Sequence, residues 1–485
     1  MDGPRVPLRR HLGENALLVL VPVVLSLPFL AEPLARDQGY FAYGGWRMHR
    51  GEWPYRDFWA NTFPGVFWWY WLMETVAVVP RPVWNGLVIG FTSLILAGVG
   101  KTRNVPGGLA YGIACPLLHR FWDMGQSEHL LNLLMAASLR TSRPVLSGVL
   151  FGAALLTKPV ALLFAPLFTG ARWGYRTLGV FIPLAVWTAA YALVAALPRV
   201  LDDLVVFNIG YGSSRWSAEL VGRVWRAALS WAAPLWPAVV LAVSSLRRGV
   251  NRMGVWLVLS LLAVALQGKL FSYHWILPLA PLLSLAGRGW SDVRGMRWHV
   301  RGLLLAIALG PFLAMPEVLV DTWYPAVYEA WRGVRYTAGF MSREEYLSSF
   351  GSKPRGDFAA LEQDRVAREL TRRGYRTALV WGFEPGLNYL ARIPCPMRYV
   401  VDFPLTFVPG SGRAREERAA RRSDFLDEFG LRSPQCVVVV HDDSNPVETV
   451  DSYRQMQGFP GFAERLVADY SGPERIGSYS LWVRR

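Results

Sequence analysis

Apolar residues in this chain come in long blocks from Glu14 to Pro316, separated by short polar breaks. From Glu317 to Arg485 polar and apolar positions mix as in an ordinary water-soluble sequence. A helix that crosses a bilayer needs roughly 20 mostly apolar residues, fewer when packed inside a bundle. On that basis the pattern predicts spans over 14–34, 83–100, 106–121, 126–140, 144–157, 159–171, 177–197, 228–246, 253–267, 270–287 and 301–316. The first follows the basic block Met1–His11 and is longer than the apolar core of a signal peptide, so it reads as a retained helix. A further apolar stretch, Pro64–Val79 (PGVFWWYWLMETVAVV), is rich in Trp and Tyr, which favour the headgroup level. We assign it to a helix lying in the outer interface.

The polar breaks test this alternation. With the N-terminus in the cytoplasm, the inner breaks hold Lys101 and Arg103, then Arg140 and Arg143, then Arg172 and Arg176. The next hold Arg247, Arg248 and Arg252, then Arg288, Arg294, Arg297 and Arg301. Every inner break is basic, whereas outer ones such as Asp123–Glu128 are acidic or nearly neutral, as the positive-inside rule requires. Counting Pro64–Val79 as a span would invert the pattern. The expectation is a polytopic α-helical protein of the cytoplasmic membrane, with about eleven spans. Its transmembrane domain is residues 1–316, with a first outer loop at 35–82, and residues 317–485 form an extracytoplasmic domain. In that domain Thr377–Trp381, Arg398–Val401 and Cys436–His441 read as short buried strands, and Asp357–Arg373 and Arg413–Phe429 as amphipathic helices. An α/β layered domain is expected. It has no Gly-rich or Walker signature, and Gly410-Ser411-Gly412 reads as a loop entering a helix.

Composition agrees: 52% hydrophobic, 22 Trp and only 18% charged residues, against about 25% charged in soluble domains. The net charge of +15 suggests nucleic acid, but no nucleic-acid-binding signature supports it. Cytoplasmic loops facing anionic lipid account for the excess. Cys115 falls in a span, while Cys395 and Cys436 fall in the domain expected to face an oxidising compartment. A disulfide between the last two stays open, because sequence gives no distance.

Charge at membrane depth is costly, so each membrane-edge ionisable group is a candidate site. The expected outer ends gather Asp37, Tyr55-Arg56-Asp57 and Asn61 from the first loop, and Asp123, Gln126 and Glu128, with His129, from the second. Lys158 lies at a break between two short helices, and Lys269, Tyr273 and His274 open the tenth span. A carboxylate can take a proton from an acceptor hydroxyl. Lys158, Lys269, His274 and Arg56 can hold a lipid-linked phosphate and stabilise the charge that grows as it leaves. Sugar transfer from a polyprenyl phosphate needs both. Each residue also has a plainer reading: Asp37 as a loop carboxylate, Glu128 at a helix N-terminus, Lys158 snorkelling to headgroups. The joint pattern favours function.

The stretch Asp37–Trp71 resembles bacterial membrane glycosyltransferases of the GT-C superfamily, in the family 39/83-like branch of protein O-mannosyltransferases and aminoarabinose transferases. The resemblance rests on Asp37-Gln38-Gly39-Tyr40, on Gly51-Glu52-Trp53-Pro54-Tyr55-Arg56-Asp57 and on Phe63-Pro64-Gly65. Weaker likeness extends to Gln126-Ser127-Glu128, Leu156-Thr157-Lys158-Pro159, Ser272-Tyr273-His274-Trp275 and Val380–Gly386. It implies an inverting transferase with Asp37 as general base and no covalent intermediate. Tyr40, Tyr55, Asp57, Asn61, Asp123, Gln126, Glu128 and Tyr273 would bind or orient substrate. The implied partners are a polyprenyl-phosphate sugar, a lipid, glycan or protein acceptor, and membrane lipid. Relatives often carry a second acid after the first-loop Asp, where this chain has Gln38; metal dependence therefore stays open, a divalent ion included. The alternatives are a transporter or flippase for a lipid-linked or anionic substrate, and a non-catalytic assembly protein. A transporter is less favoured, because no internal repeat is evident.

Overall fold

The computed structural model describes residues 8–100, 102–170, 172–213, 219–247, 249, 251–353, 356–407, 412–445 and 447–485. Lys101, Arg248, Gly410, Ser411 and the first seven residues of the basic N-terminal block lie outside the described residues. Among the described residues the chain is mostly helical, with one small sheet.

Helices stand where the apolar blocks lie: His11–Phe29, Arg81–Ala97, Val105–Leu118, Ser127–Arg140, Pro144–Thr157 and Pro159–Phe168, then Trp173–Leu193, Leu220–Leu246, Arg252–Gln267, Ile276–Arg294 and Trp298–Ala314. Among the described residues three are long and apolar enough to cross a membrane: His11–Phe29, Trp173–Leu193 and Leu220–Leu246. Six others are apolar but shorter. Pro64–Val79 forms a helix over Pro64–Thr75, with Pro64 at a position where a missing N–H costs nothing.

The chain divides into two compact units, and not at Pro316. A helical unit takes residues 1–31, 78–187 and 216–337. The other, here the mixed unit, takes 32–77, 188–215 and 338–485, so most of the expected first outer loop groups with the C-terminal residues. Glu317–Thr337, expected to open the soluble domain, is an amphipathic helix of the helical unit.

The helical unit is held by an apolar core that includes Tyr111, Leu131, Phe151, Phe164, Trp256 and Leu277. Its helices approach closely through small residues: a Cβ on Gly148 would collide with the Arg176 carbonyl, and one on Gly287 with the Gly107 amide. Buried amides tie helices together, Asn104 donating to the Ser284 carbonyl and Asn132 to that of Ile276, each at 2.7 Å.

The mixed unit contains the sheet, in order β1-β2-β4-β3. Strand β1 (Ala378–Trp381) pairs parallel to β2 (Cys436–Val440), as two of the expected strands require. β2 pairs antiparallel to β4 (Tyr479–Arg484), which pairs antiparallel to β3 (Tyr470–Ile476). Val366 and Leu370 of helix Ala360–Arg372 pack against Val380, Val438 and Leu481. The expected strand at Arg398–Val401 does not form. The Arg398 carbonyl accepts from the Trp59 amide at 2.8 Å and its own amide donates to Glu428, so neither is left for a ladder. Cys395 and Cys436 are buried and free; the disulfide left open by the sequence is not formed.

Candidate active site

Asp37 sits in the first turn of helix Arg36–His49, where the partial positive charge of the N-terminus favours a carboxylate. Two close crossings seat this helix. A Cβ on Gly39 would lie 2.8 Å from the Gly386 Cα, and one on Gly45 would lie 2.6 Å from the Tyr70 carbonyl carbon. Tyr40 follows Asp37 by three residues and is fully buried, donating to the Trp59 carbonyl at 3.3 Å. Burial raises its phenol well above the ordinary value, and the Asp203 and Asp37 carboxylates act on it in the same direction. Both acids therefore lie within electrostatic reach of one hydroxyl.

The loop Pro54–Asn61 is folded tightly. Tyr55 adopts a φ of 65°, in the left-handed region that a side chain strains to occupy. It is held there by hydrogen bonds from its amide to the Phe58 carbonyl (2.7 Å) and from its hydroxyl to the Thr62 carbonyl (2.7 Å). Arg56 forks onto Asp57, with contacts of 2.7 to 3.0 Å. Burial would raise the Asp57 carboxyl, but Arg56 and the Trp53 amide outweigh it and hold it low. Arg56 is thus an ion-pair partner here rather than a cation open to a phosphate.

Asp203 is a residue that the sequence does not single out. It is completely buried on a π-helical turn, Asp202–Val206, of the mixed unit. One oxygen accepts from Arg398 at 2.7 Å and the other from the Ala60 amide at 3.3 Å. Burial pushes its carboxyl up to about 7 although Arg398 pulls the other way. The sequence offers one clue, two adjacent acids inside the apolar run LDDLVV.

A second such group surrounds Arg36, which pairs with Asp357 at 2.6 Å and faces Glu448 at 3.8 Å. Beside it Lys353 and Glu384, both without exposed side chain, pair at 2.8 Å, and Tyr479 donates to Glu384 at 2.5 Å. Ser452 Oγ lies 2.8 Å from Asp402 and 2.7 Å from Asp443.

The remaining candidates lie in the helical unit. Pro159 confines the preceding residue to extended backbone, and Lys158 has φ −157° and ψ 124° where the helix stops. Its ammonium pairs with the fully buried Glu128 and lies 5.4 Å from the centre of the Tyr273 ring. Tyr273 stands edge-on to His274 at 4.8 Å. The charges of Lys158 and Lys269 both act on His274. Asp123 accepts from Ser272 at 2.5 Å and pairs with His119 at 2.9 Å. Gln126 occupies the position just before the helix that carries Glu128 and donates to the Trp122 carbonyl at 3.2 Å. This unit therefore gathers Asp123, Glu128, Lys158, Lys269, Tyr273 and His274, while the mixed unit gathers Asp37, Tyr40, Tyr55, Arg56, Asp57 and Asn61. Among the described residues no three His, Cys, Asp or Glu are arranged to hold a metal ion.

No protein-family model and no curated protein matches the chain. Solved structures do. ArnT from Cupriavidus metallidurans in the apo state matches 98% of this chain over 98% of its own, with TM-score 0.58 and 15% identity. The same protein bound to undecaprenyl phosphate matches 97% of this chain over 98% of its own, with TM-score 0.55 and 14% identity. The chain has the GT-C fold. An oligosaccharyltransferase from Archaeoglobus fulgidus in complex with Zn and sulfate also aligns, at 10% identity over 96% of this chain and 73% of its own, with TM-score 0.43.

Proposed function

We propose that this protein is an inverting glycosyltransferase that moves a sugar from a polyprenyl-phosphate donor to an acceptor hydroxyl at the outer face of the cytoplasmic membrane. The observation that carries the reading is the near end-to-end match to ArnT, a protein solved with undecaprenyl phosphate bound. Asp37, on a helix N-terminus, supplies the matching base.

The acceptor oxygen attacks the anomeric carbon, the carbon–oxygen bond to phosphate breaks, and the polyprenyl phosphate leaves with the bonding electrons. Asp37 takes the acceptor proton. To the helical unit the proposal assigns the phosphate, with Lys158, Lys269 and His274 as its ligands. Lys158 can serve by exchanging Glu128 for phosphate, a like-for-like trade of anions in which Glu128 keeps the Ser127 hydroxyl, 3.0 Å away. Arg56 would exchange Asp57 in the same way. Tyr40, Tyr55, Asp57, Asn61, Asp123, Gln126, Glu128 and Tyr273 are assigned to orienting substrate. An N-terminus in the cytoplasm and residues 317–485 on the outer side complete the proposal.

The test is purified protein in lipid nanodiscs with a panel of undecaprenyl-phosphate sugars, scored for donor consumption. Turnover that disappears in Asp37→Asn is expected. No turnover and no donor binding across the panel would sink the reading.

A further inference from the structure

The buried Asp203 has a cost that packing does not repay. A carboxylate without solvent access is stable only when fully paired, and a π-turn inserts an extra residue into a helix at the expense of its hydrogen bonding. What these costs maintain is a set of contacts to one short stretch of backbone. Asp203 accepts from the Ala60 amide at 3.3 Å, and Asn208, one turn later, donates to the Asn61 carbonyl at 2.8 Å. Arg199 donates to the Arg56 carbonyl at 2.8 Å. Arg398, itself oriented by Asp203, reaches the Tyr55 carbonyl at 3.4 Å and receives the Trp59 amide on its own carbonyl at 2.8 Å. The aromatic rings agree: Tyr191 packs on both Trp53 and Tyr55, with centroids 5.5 Å apart in each pair, and Phe207 packs edge-on to Trp59 at 4.9 Å. Five consecutive or near-consecutive backbone groups of one loop are thus gripped from residues 191–208 and Arg398, all within the mixed unit.

We infer that Asp203 and Asn208 are positioning residues, which fix the backbone of the Tyr55–Asn61 loop so that its side chains meet the substrate in the geometry of the transfer step. The assignment of the loop to substrate rests on the glycosyltransferase reading; the grip itself does not. Asp203 acts through Arg398 and the Ala60 amide, and Asn208 through the Asn61 carbonyl. The strained φ of Tyr55 belongs to the same device, because a conformation of that kind persists only where surrounding contacts over-determine it.

The experiment compares the full-length wild type with Asp203→Asn and Asn208→Ala in nanodiscs, by hydrogen exchange of the peptide covering 54–62 and by donor turnover. Asn208 is only part-buried, so its truncation leaves a folded chain in which to read the effect even where Asp203→Asn unfolds. Exchange over 54–62 is expected to rise about tenfold while peptides from the sheet keep their protection. The turnover number is expected to fall roughly ten- to a hundredfold, with KM for the donor unchanged, as misplacement without lost binding requires. Unchanged exchange over 54–62 in Asn208→Ala overturns the inference, and so does a rise in donor KM at constant turnover number. Wild-type protein that consumes no donor counts against the glycosyltransferase reading alone, since the exchange measurement still decides whether the grip exists.

Discussion

Asp37 lies in the first turn of its helix, two positions before the close approach at Gly39. Substituting it by Asn keeps shape and removes the proposed base, so turnover should fall about 10²- to 10⁴-fold while donor binding persists. Equilibrium binding of a non-transferable donor alongside steady-state kinetics checks this. Lys158 was legible as a candidate but not its partner. Lys158→Met leaves the fully buried Glu128 unpaired, with an expected cost of about 3–5 kcal/mol. Glu128→Gln combined with Lys158→Met should recover the melting temperature but not donor affinity. Recovery of both would reduce Lys158 to a structural role. Asp203 was illegible for a different reason: its partner Arg398 lies 195 positions away, and nothing local marks either.

At the scale of elements, apolar blocks announce helices, since an uninterrupted hydrophobic face needs no partner to be recognised. The sheet was harder. β1 and β2 are buried throughout and were visible as apolar runs, whereas β3 is exposed along most of its length and carries no such signal. The helix Glu317–Thr337 was hidden by its acids and arginines. The loop segments around Asp402, Asp443 and Ser452 carry a titration of their own. Ser452 has one hydroxyl proton but stands within hydrogen-bond distance of both Asp402 and Asp443, so one carboxyl must itself hold a proton to donate. Burial raises Asp402 well above its ordinary value, with Glu448 and Asp443 adding to it, and Arg36 opposing. Burial likewise raises Asp443, and brings Glu448 to about 7. Groups raised on folding stabilise most below their unfolded values, near 4, and lose that contribution as pH climbs through the folded ones. Glu384 runs the opposite way: burial would raise it, but Lys353, Arg36 and Tyr479 hold it low, so its contribution is lost in acid. The melting temperature should therefore fall between about pH 5 and pH 8, and Asp402→Asn should flatten that slope. An unchanged slope would mean the shared proton is absent.

For the molecule as a whole, helical membrane character and a mixed helix-and-sheet region were legible from hydrophobicity, but not which residues cluster together. Hydrophobicity records burial; it does not record company. Residues 32–77 sit between apolar blocks in sequence yet pack with residues of 338–485. That link is set by backbone contact and by charged side chains, such as Arg47 donating to the Cys395 carbonyl at 3.1 Å. The two buried thiols offer a global check. Neither Cys395 nor Cys436 should react with a maleimide until the chain is denatured, and oxidant should not change its electrophoretic mobility.

The meeting of Gly39 with Gly386 reaches beyond its size. It leaves no room for a methyl group on Gly39, two positions along from the proposed base, and only a tight fit for one on Gly386. The helix bearing that base therefore takes its seat from the part of the protein farthest along the chain. Trimming the gene after the last apolar helix would yield a product that inserts in a bilayer and does nothing there, its carboxylate without an anchorage. What looks like an appendage is the anvil.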